Sequence, residues 1–156
     1  MGSGAVRIER ADFSDPRIVE LLALHFRTMR STGPEESCHV LPIERMDRPD
    51  LFLFAAWNGE TLLGIGAYQV LDEDHAEVKS MHVREAGRRL GTGQALLDHI
   101  VAEARRGGVA RLSLETGAGD FFVPAQTFYE RNGFTRCGPF GTYTGDPNSA
   151  YYTRTI

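Results

Sequence analysis

The fold is decided by residues Glu77–Gly108, which read EVKSMHVREAGRRLGTGQALLDHIVAEARRGG. Glu77–Val83 reads as a strand with apolar and polar side chains on both faces, which favours a strand that borders a site. The basic loop Arg88–Gly93 follows, and from Gln94 the apolar residues recur with helical period. The pattern predicts a strand, a tight glycine loop and an amphipathic helix that ends at Gly107-Gly108.

The glycine loop predicts an anion site at the start of this helix. The first N–H groups of a helix lack partners within it and carry a partial positive charge. Gly91 and Gly93 allow a ligand close to the backbone, and Arg88 and Arg89 add charge. Phosphate is the anion that such a loop favours, whereas the alternative is a solvated basic turn that only caps the helix.

Two common phosphate motifs fit the loop poorly. A nucleotide P-loop needs Lys followed by Ser or Thr after its second glycine, and Gln94-Ala95 stands there instead. A dinucleotide fingerprint needs a third glycine where this chain has Leu96. Glu115 lies near the spacing of a ribose-binding acid, so dinucleotide binding remains the runner-up interpretation.

Three segments together resemble the GNAT N-acetyltransferase family. Arg88–Gly93, RRLGTG, is similar to its Gln/Arg-x-x-Gly-x-Gly/Ala pyrophosphate loop. Leu112–Gly117 resembles its next strand, and Ala125–Phe134 resembles its Ala-x-x-x-Tyr-x-x-x-Gly-Phe helix. The order and spacing match over Glu77–Phe134.

A narrower likeness covers nearly the whole chain. Pro34–His39 and the tail Cys137–Ser149 resemble a bacterial YsnE-like branch of the family. The resemblance implies that the pantetheine arm of coenzyme A enters a splay between the fourth and fifth strands, Glu77–Val83 and Arg111–Glu115. It also makes a homodimer a possible assembly.

The order of elements predicts an α/β fold with a mixed, mostly antiparallel sheet flanked by helices on both faces. Asp12 or Ser14 is expected to cap the first helix, with Pro16 early in it. The other predicted elements are strands at Val6–Arg10, Leu51–Trp57 and Leu62–Leu71, a hairpin turn at Asn58-Gly59, a short helix around Ile43–Met46, a helix ending at Asn132-Gly133, and two strands after Phe134 around a long turn.

Composition favours one globular domain over residues 1–156, with 42% hydrophobic and 24% charged residues. A net charge of -4 gives no reason to expect nucleic acid or an anionic membrane as partner. The two cysteines, Cys38 and Cys137, have neither metal-ligand spacing nor the number of a disulfide framework, so no metal is expected. With no signal peptide or apolar span, a cytoplasmic location is expected.

The resemblance implies transfer of an acetyl group from acetyl-CoA to an amine. The strand residues would pair with the pantetheine through their backbone, and a backbone N–H near Val83 would polarise the carbonyl. The implied cofactor-binding residues are Met81, His82, Val83, Arg88, Arg89, Leu90, Gly91, Thr92, Gly93 and Phe128.

Tyr129 is the predicted general acid, because it takes the place of the family tyrosine that faces the sulfur. The alternative is a packing tyrosine. Glu77 is the predicted base and resembles an acidic position that some relatives use. Glu115, His82 and His39 are alternatives, and many such reactions need no dedicated base.

The acceptor is expected to be a small-molecule amine. A protein amine is the second candidate, and a non-catalytic acyl-CoA sensor is an alternative of another class. A covalent acetyl-cysteine route through Cys38 is the mechanistic rival. Candidate acceptor contacts are Arg45, Arg48, Lys79 and Arg84 for a carboxylate, and Phe121, Phe122, Phe140 and Tyr143 for an apolar group.

Overall fold

The computed structural model describes residues 6–31 and 43–156. The candidates Cys38 and His39, and the segment Pro34–His39, lie outside the described residues. The elements are β1 (Arg7–Arg10), α1 (Pro16–Ser31), β2 (Leu51–Asn58), β3 (Thr61–Val70), β4 (His75–Val83), α2 (Thr92–Arg106), β5 (Arg111–Gly117), α3 (Val123–Arg131), β6 (Thr135–Cys137) and β7 (Ser149–Thr155).

The strands of the described residues form one seven-stranded sheet in the order β1-β2-β3-β4-β5-β7-β6. Every neighbouring pair is antiparallel except β4 and β5, which are parallel. The parallel pair results from the crossover through α2, since strands that run the same way need a long connection. The predicted mixed, mostly antiparallel α/β sheet is confirmed.

Helices cover both faces of the sheet, as predicted. On β2 the buried side chains alternate: Leu53 and Trp57 join the core under α1, whereas Phe54 and Ala56 join the core under α2 and α3. Alternation places successive side chains on opposite faces. Because both faces carry apolar side chains, each needs a helical cover.

The helix boundaries differ from the sequence prediction in two places. Oδ1 of Asp15 accepts a hydrogen bond from the backbone N–H of Arg17 at 2.9 Å, so Asp15 caps α1 and not Asp12 or Ser14. The helix α2 begins at Thr92, two residues before the predicted Gln94, with Gly91 as its N-cap at φ 74°. Its end at Gly107 agrees with the prediction.

A β-bulge at Ser80 changes which face the side chains of β4 occupy. Ser80 has φ 57°, and the register with β3 shifts between the pairs Ala67–Lys79 and Ile65–His82. An extra residue reverses the alternation beyond it. Val78, Met81 and Val83 therefore contact the core under α2, whereas Glu77, Lys79 and His82 lie on the face of α1.

The strands β4 and β5 pair only at their beginnings. The register comprises His75–Arg111, Ala76–Leu112 and Glu77–Ser113. In the described part of the chain, β4 beyond Glu77 pairs only with β3, and β5 beyond Ser113 pairs only with β7. The predicted splay between the fourth and fifth strands is present, and Glu77 lies where it begins.

Candidate functional site

A cavity of about 1010 Å3 occupies the splay and continues to both faces of the sheet. Backbone and side chains of β4 and β5 form its walls, α2 and its loop close one end, and α1 closes the other. A volume of this size suits a cofactor arm together with a small acceptor. The residues that line it include His25, Glu77, Lys79, Met81, His82, Val83, Arg88, Gly93, Glu115, Phe128, Tyr129 and Tyr143.

The loop before α2 presents its backbone to this cavity. Arg89 and Gly91 both have left-handed backbone angles, φ 70° and 74°, which turn the chain sharply. The hydroxyl of Thr92 donates a 2.8 Å hydrogen bond to the carbonyl of Gly87, so its side chain points inward. Arg88 and Gly93 line the cavity beside the start of α2, where the first N–H groups of a helix lie outside its own hydrogen-bond pattern, an arrangement that suits a diphosphate.

Gly93 lies where a side chain would narrow the cavity. A Cβ at this position would be 3.6 Å from Val83 and 3.8 Å from the ring of Phe128. A pair of amide hydrogen bonds, 2.7 and 3.2 Å long, joins Gln94 to Asn132 at the end of α3. These bonds hold α3, and with it Phe128, against the start of α2.

Tyr129 lies on α3 with 8% of its surface exposed and lines the cavity. Its ring packs edge-on against Phe128 and Phe134, at centroid distances of 5.3 and 5.7 Å. Burial raises the pKa of Tyr129. The side chain is therefore a neutral phenol at physiological pH, able to donate a proton but not to act as a phenolate base.

Glu77 is buried and bound at both carboxylate oxygens. The hydroxyl of Tyr143 donates to Oε2 at 2.5 Å, and Nζ of Lys79 lies 3.3 Å from Oε1. Burial, followed by the charge of Glu77, raises the pKa of Tyr143, which keeps this phenol a donor. Glu77 thus lies at the start of the splay with a fixed orientation.

A histidine pair is the feature that the sequence interpretation missed. Nδ1 of His25 on α1 lies 3.0 Å from Nδ1 of His82 on β4, and both rings line the cavity. His25 reads in the sequence only as one position of the apolar stripe of its helix. The signal was a polar side chain within that stripe, but its partner was 57 residues away.

The other candidates fall into different environments. Oε2 of Glu115 accepts a 2.7 Å hydrogen bond from Ser149 and its side chain lines the cavity. Arg48 forms an exposed ion pair with Asp50, and Arg45 is exposed and away from the cavity. Phe121 lines the rim with 61% of its surface exposed. Cys137 is a half-buried thiol at the end of β6 whose pKa is raised by burial.

The described residues hold neither a metal-binding cluster nor a membrane-spanning helix. In 6–31 and 43–156, no three or more His, Cys, Asp or Glu side chains are grouped to hold a metal ion. Within the same two ranges, no helix has the length and apolarity needed to cross a bilayer.

The splayed sheet and the glycine loop before α2 together suit a class of protein that holds a diphosphate-bearing cofactor beside an acceptor. The chain belongs to the acetyltransferase (GNAT) family, whose model matches residues 16–134. It is similar to the N-acetyltransferase YsnE of Bacillus subtilis (strain 168), with 38% identity over 97% of this chain and 100% of that protein. The N-acetyltransferase YedL of Escherichia coli (strain K12) is 36% identical over 96% of this chain and 94% of that protein.

Solved structures share the fold. An acyl-CoA N-acyltransferase from Klebsiella pneumoniae has a TM-score of 0.78 at 23% identity, over 97% of this chain and 98% of that one. A GNAT acetyltransferase from Elizabethkingia anophelis with acetyl-CoA bound has a TM-score of 0.71 at 17% identity, again over 97% and 98%. The predicted family and the predicted likeness to YsnE are confirmed. The prediction that the protein is an acetyl-CoA-dependent N-acyltransferase is also confirmed.

Proposed function

We propose that this protein transfers an acetyl group from acetyl-CoA to the amine of a small molecule by direct attack in a ternary complex. The observation that carries the proposal is one continuous cavity that joins the loop before α2 to the polar face under α1 through the splay. Both substrates can reach the same point at once, so no acetylated side chain is needed. The expected cytoplasmic location remains a prediction.

The cofactor would lie along the exposed edge of β4. In this proposal the first N–H groups of α2 donate hydrogen bonds to the diphosphate. The residues that surround it are Arg88, Arg89, Leu90, Gly91, Thr92 and Gly93. Among the residues that the structure describes, no strand pairs with the backbone of Met81, His82 and Val83 on the β5 side, so we expect this edge to pair with the pantetheine amides. Phe128 would pack against the arm near Gly93.

Tyr129 is the proposed acid for the departing thiolate. Its phenol lines the cavity from α3, beside Phe128, at the end where the thioester would lie. A thiol has a pKa near ~8.5 and a phenol one near ~10, so a solvated phenol donates to a thiolate slightly uphill. Burial raises the pKa of Tyr129 and makes the proton transfer less favourable still. A close, oriented hydrogen bond from the phenol to the sulfur, formed as the thiolate leaves, has to compensate.

Glu77 is the proposed acceptor of the proton that the amine loses on forming the amide. Its carboxylate lies at the start of the splay, on the face of α1, where an acceptor molecule would enter. Lys79 and Tyr143 hold the two oxygens, so a water bridging to the amine is the route that this geometry favours. A backbone N–H near Val83 would stabilise the developing oxyanion.

Calorimetry and kinetics test the proposal. Acetyl-CoA should bind with a measurable heat, and release of free CoA thiol should accelerate with some members of a panel of small primary amines. Initial rates at varied concentrations of both substrates should give intersecting lines, as a ternary complex requires. Parallel lines would support an acetyl-cysteine route, and binding without turnover of any amine would support a sensor.

A further inference from the structure

His25 and His82 are joined edge to edge inside the cavity. Their Nδ1 atoms are 3.0 Å apart, and the rings meet at 83° with centroids separated by 5.1 Å. His25 comes from α1 and is buried, with 6% of its surface exposed. His82 follows the bulge of β4 and is half-buried, so it is the ring that an acceptor molecule would meet first.

A contact of this length requires one shared proton. One Nδ1 must donate and the other must accept, because two protonated or two bare nitrogens would repel. Burial, followed by the neighbouring imidazole of His82, lowers the pKa of His25 to about 4. Burial, followed by Arg88 and Arg84, lowers that of His82. Lys79 and Glu77 also lie on this face, as an ion pair.

Both rings are therefore neutral at pH 7. A neutral pair with one Nδ1 proton leaves one Nε2 bare and the other protonated. If His82 donates from Nδ1, its Nε2 is the bare nitrogen. The pair then has one proton acceptor and one proton donor at opposite ends.

The proposed reaction releases one proton that neither Glu77 nor the thiolate takes up. Most alkylamines are ammonium ions at pH 7, as the lysine side chain is with its pKa near ~10.4. An ammonium ion must lose one proton before its nitrogen can attack, and a second when the amide forms. The balance is R-NH3+ plus acetyl-CoA giving the N-acetyl amine, CoA thiol and one proton, so a proton must leave the site.

We propose that His82 and His25 form a proton relay that removes the first proton from the ammonium form of the acceptor. This inference rests on the proposed function. Nε2 of His82 accepts the proton, the Nδ1 proton of His82 passes to Nδ1 of His25, and the Nε2 proton of His25 passes to water. Each ring gains one N–H bond and loses one, so no charge is left on the pair.

The relay resets by the reverse shift. Nε2 of His25 takes a proton from water, its Nδ1 proton returns to His82, and Nε2 of His82 gives a proton to water in the empty cavity. The amine proton has then reached solvent and the pair has its first arrangement again. Glu77 remains responsible for the second proton, and Tyr129 for the thiolate.

The basicity of the acceptor separates a relay from a structural role. Phenethylamine and 4-ethylaniline are isomers, and at pH 7 the first is an ammonium ion whereas the second is neutral. A relay is needed only for the first. The matched variants are His82→Gln, which cannot accept a proton at Nε2, and His25→Asn, which keeps a hydrogen bond to His82 but cannot pass a proton. The control is His99→Gln, a histidine of α2 that does not line the cavity.

The experiment measures kcat/KM for CoA thiol release with this pair and with similar pairs drawn from the amine panel. Both relay variants should lose about tenfold or more with the ammonium acceptor at pH 7. The loss should be several-fold smaller with the neutral isomer, and with the ammonium acceptor it should shrink as the pH approaches 10. Added imidazole should restore His82→Ala with the ammonium acceptor only, and His99→Gln should behave as the wild type.

The possible results of this experiment distinguish failure of the relay from failure of the proposed function. An equal loss with both isomers, or no loss with either, would overturn the relay while leaving the proposed function in place. If His82→Gln does not fold, as thermal unfolding would reveal, His25→Asn gives the same comparison. A wild-type protein that binds acetyl-CoA but acetylates no amine of the panel would contradict the proposed function, and the relay with it.

Discussion

The phenol of Tyr143 donates a 2.5 Å hydrogen bond to Oε2 of Glu77, 66 residues earlier in the chain. Tyr143 belongs to the long turn between β6 and β7, and Glu77 is the last residue of β4 that pairs with β5. The bond therefore ties the turn to the point where the sheet opens. It also gives a buried carboxylate a neutral donor in addition to Lys79.

Tyr143→Phe should lower both the free energy of unfolding and kcat/KM. A buried carboxylate that loses a donor costs about 1–3 kcal/mol, because the group keeps its desolvation penalty without the bond. We expect urea denaturation to show a decrease of this size in the free energy of unfolding. We also expect kcat/KM to fall, because Glu77 loses the contact that orients it.

Tyr151→Phe is the matched control for that prediction. Tyr151 packs near Tyr143 with a ring distance of 5.5 Å, yet among the described residues its buried hydroxyl has no hydrogen-bond partner. Removing an unsatisfied hydroxyl should leave stability unchanged or raise it. A destabilisation equal to that of Tyr143→Phe would show that the ring packing of this region matters and the bond to Glu77 does not.

Tyr129→Phe should lower kcat by about a hundredfold or more, the usual contribution of a positioned general acid. Its affinity for acetyl-CoA, measured by calorimetry, should change little because the ring and its packing remain. Tyr68→Phe is the control, since Tyr68 is also buried but does not line the cavity. Undiminished kcat in Tyr129→Phe would remove the residue from the mechanism.

Gly93→Ala should separate cofactor binding from stability. The new Cβ would meet Val83 and Phe128 at 3.6 and 3.8 Å, which are ordinary contacts, so the fold should accept it. Alanine should even favour α2 by up to about 1 kcal/mol. The methyl group would occupy space beside the proposed diphosphate, and we expect roughly tenfold weaker acetyl-CoA binding, or about 1.4 kcal/mol.

Gly138→Ala is the control for this change, because Gly138 is exposed in the turn after β6 and no atom lies within 4 Å of its added Cβ. Calorimetry with acetyl-CoA and thermal unfolding should be run on both variants. Unchanged affinity in Gly93→Ala would place the cofactor away from the start of α2.

Stability should fall in mild acid because of His25. Its pKa is lowered from 6.5 to about 4 in the folded protein, so between these values the unfolded chain binds the proton and the folded one does not. The stability that the neutral His25 contributes is present above pH 6.5. As the pH falls towards 4, the free energy of unfolding decreases by roughly 3 kcal/mol in all. Urea denaturation at several pH values should show this slope in the wild type and a smaller one in His25→Asn. Equal slopes would contradict the burial of a neutral His25.

Much of the fold was predictable because its signals are local. The hairpin at Asn58-Gly59 depends on turn preference, and the helix after Gly93 depends on the spacing of apolar residues. The cap of α1 was wrongly placed because Asp12, Ser14 and Asp15 are all good caps and only the path of the chain decides among them. The sequence predicts the start of α2 two residues too late. The hydroxyl of Thr92 donates a hydrogen bond to the carbonyl of Gly87, a contact that the local pattern does not show.

The mixed pattern of β4 has a cause that only the folded sheet shows. Polar and apolar side chains on both faces indicated a strand beside a site, and the bulge at Ser80 is the physical cause. Without the bulge, His82 would lie on the face of Val78, away from Glu77. No local preference predicts a left-handed serine inside a strand, since its conformation is costly unless the surrounding structure imposes it.

The sequence by itself determined the order of elements, the glycine loop before α2 and the family, since these depend on neighbouring residues and short motifs. Only the tertiary structure decided that Tyr143 reaches Glu77 and that His25 reaches His82. Such pairs join residues 57 and 66 positions apart, and their contact depends on how the sheet splays and bulges. Spacing along the chain has no bearing on distances of that kind, because packing of the whole sheet sets them.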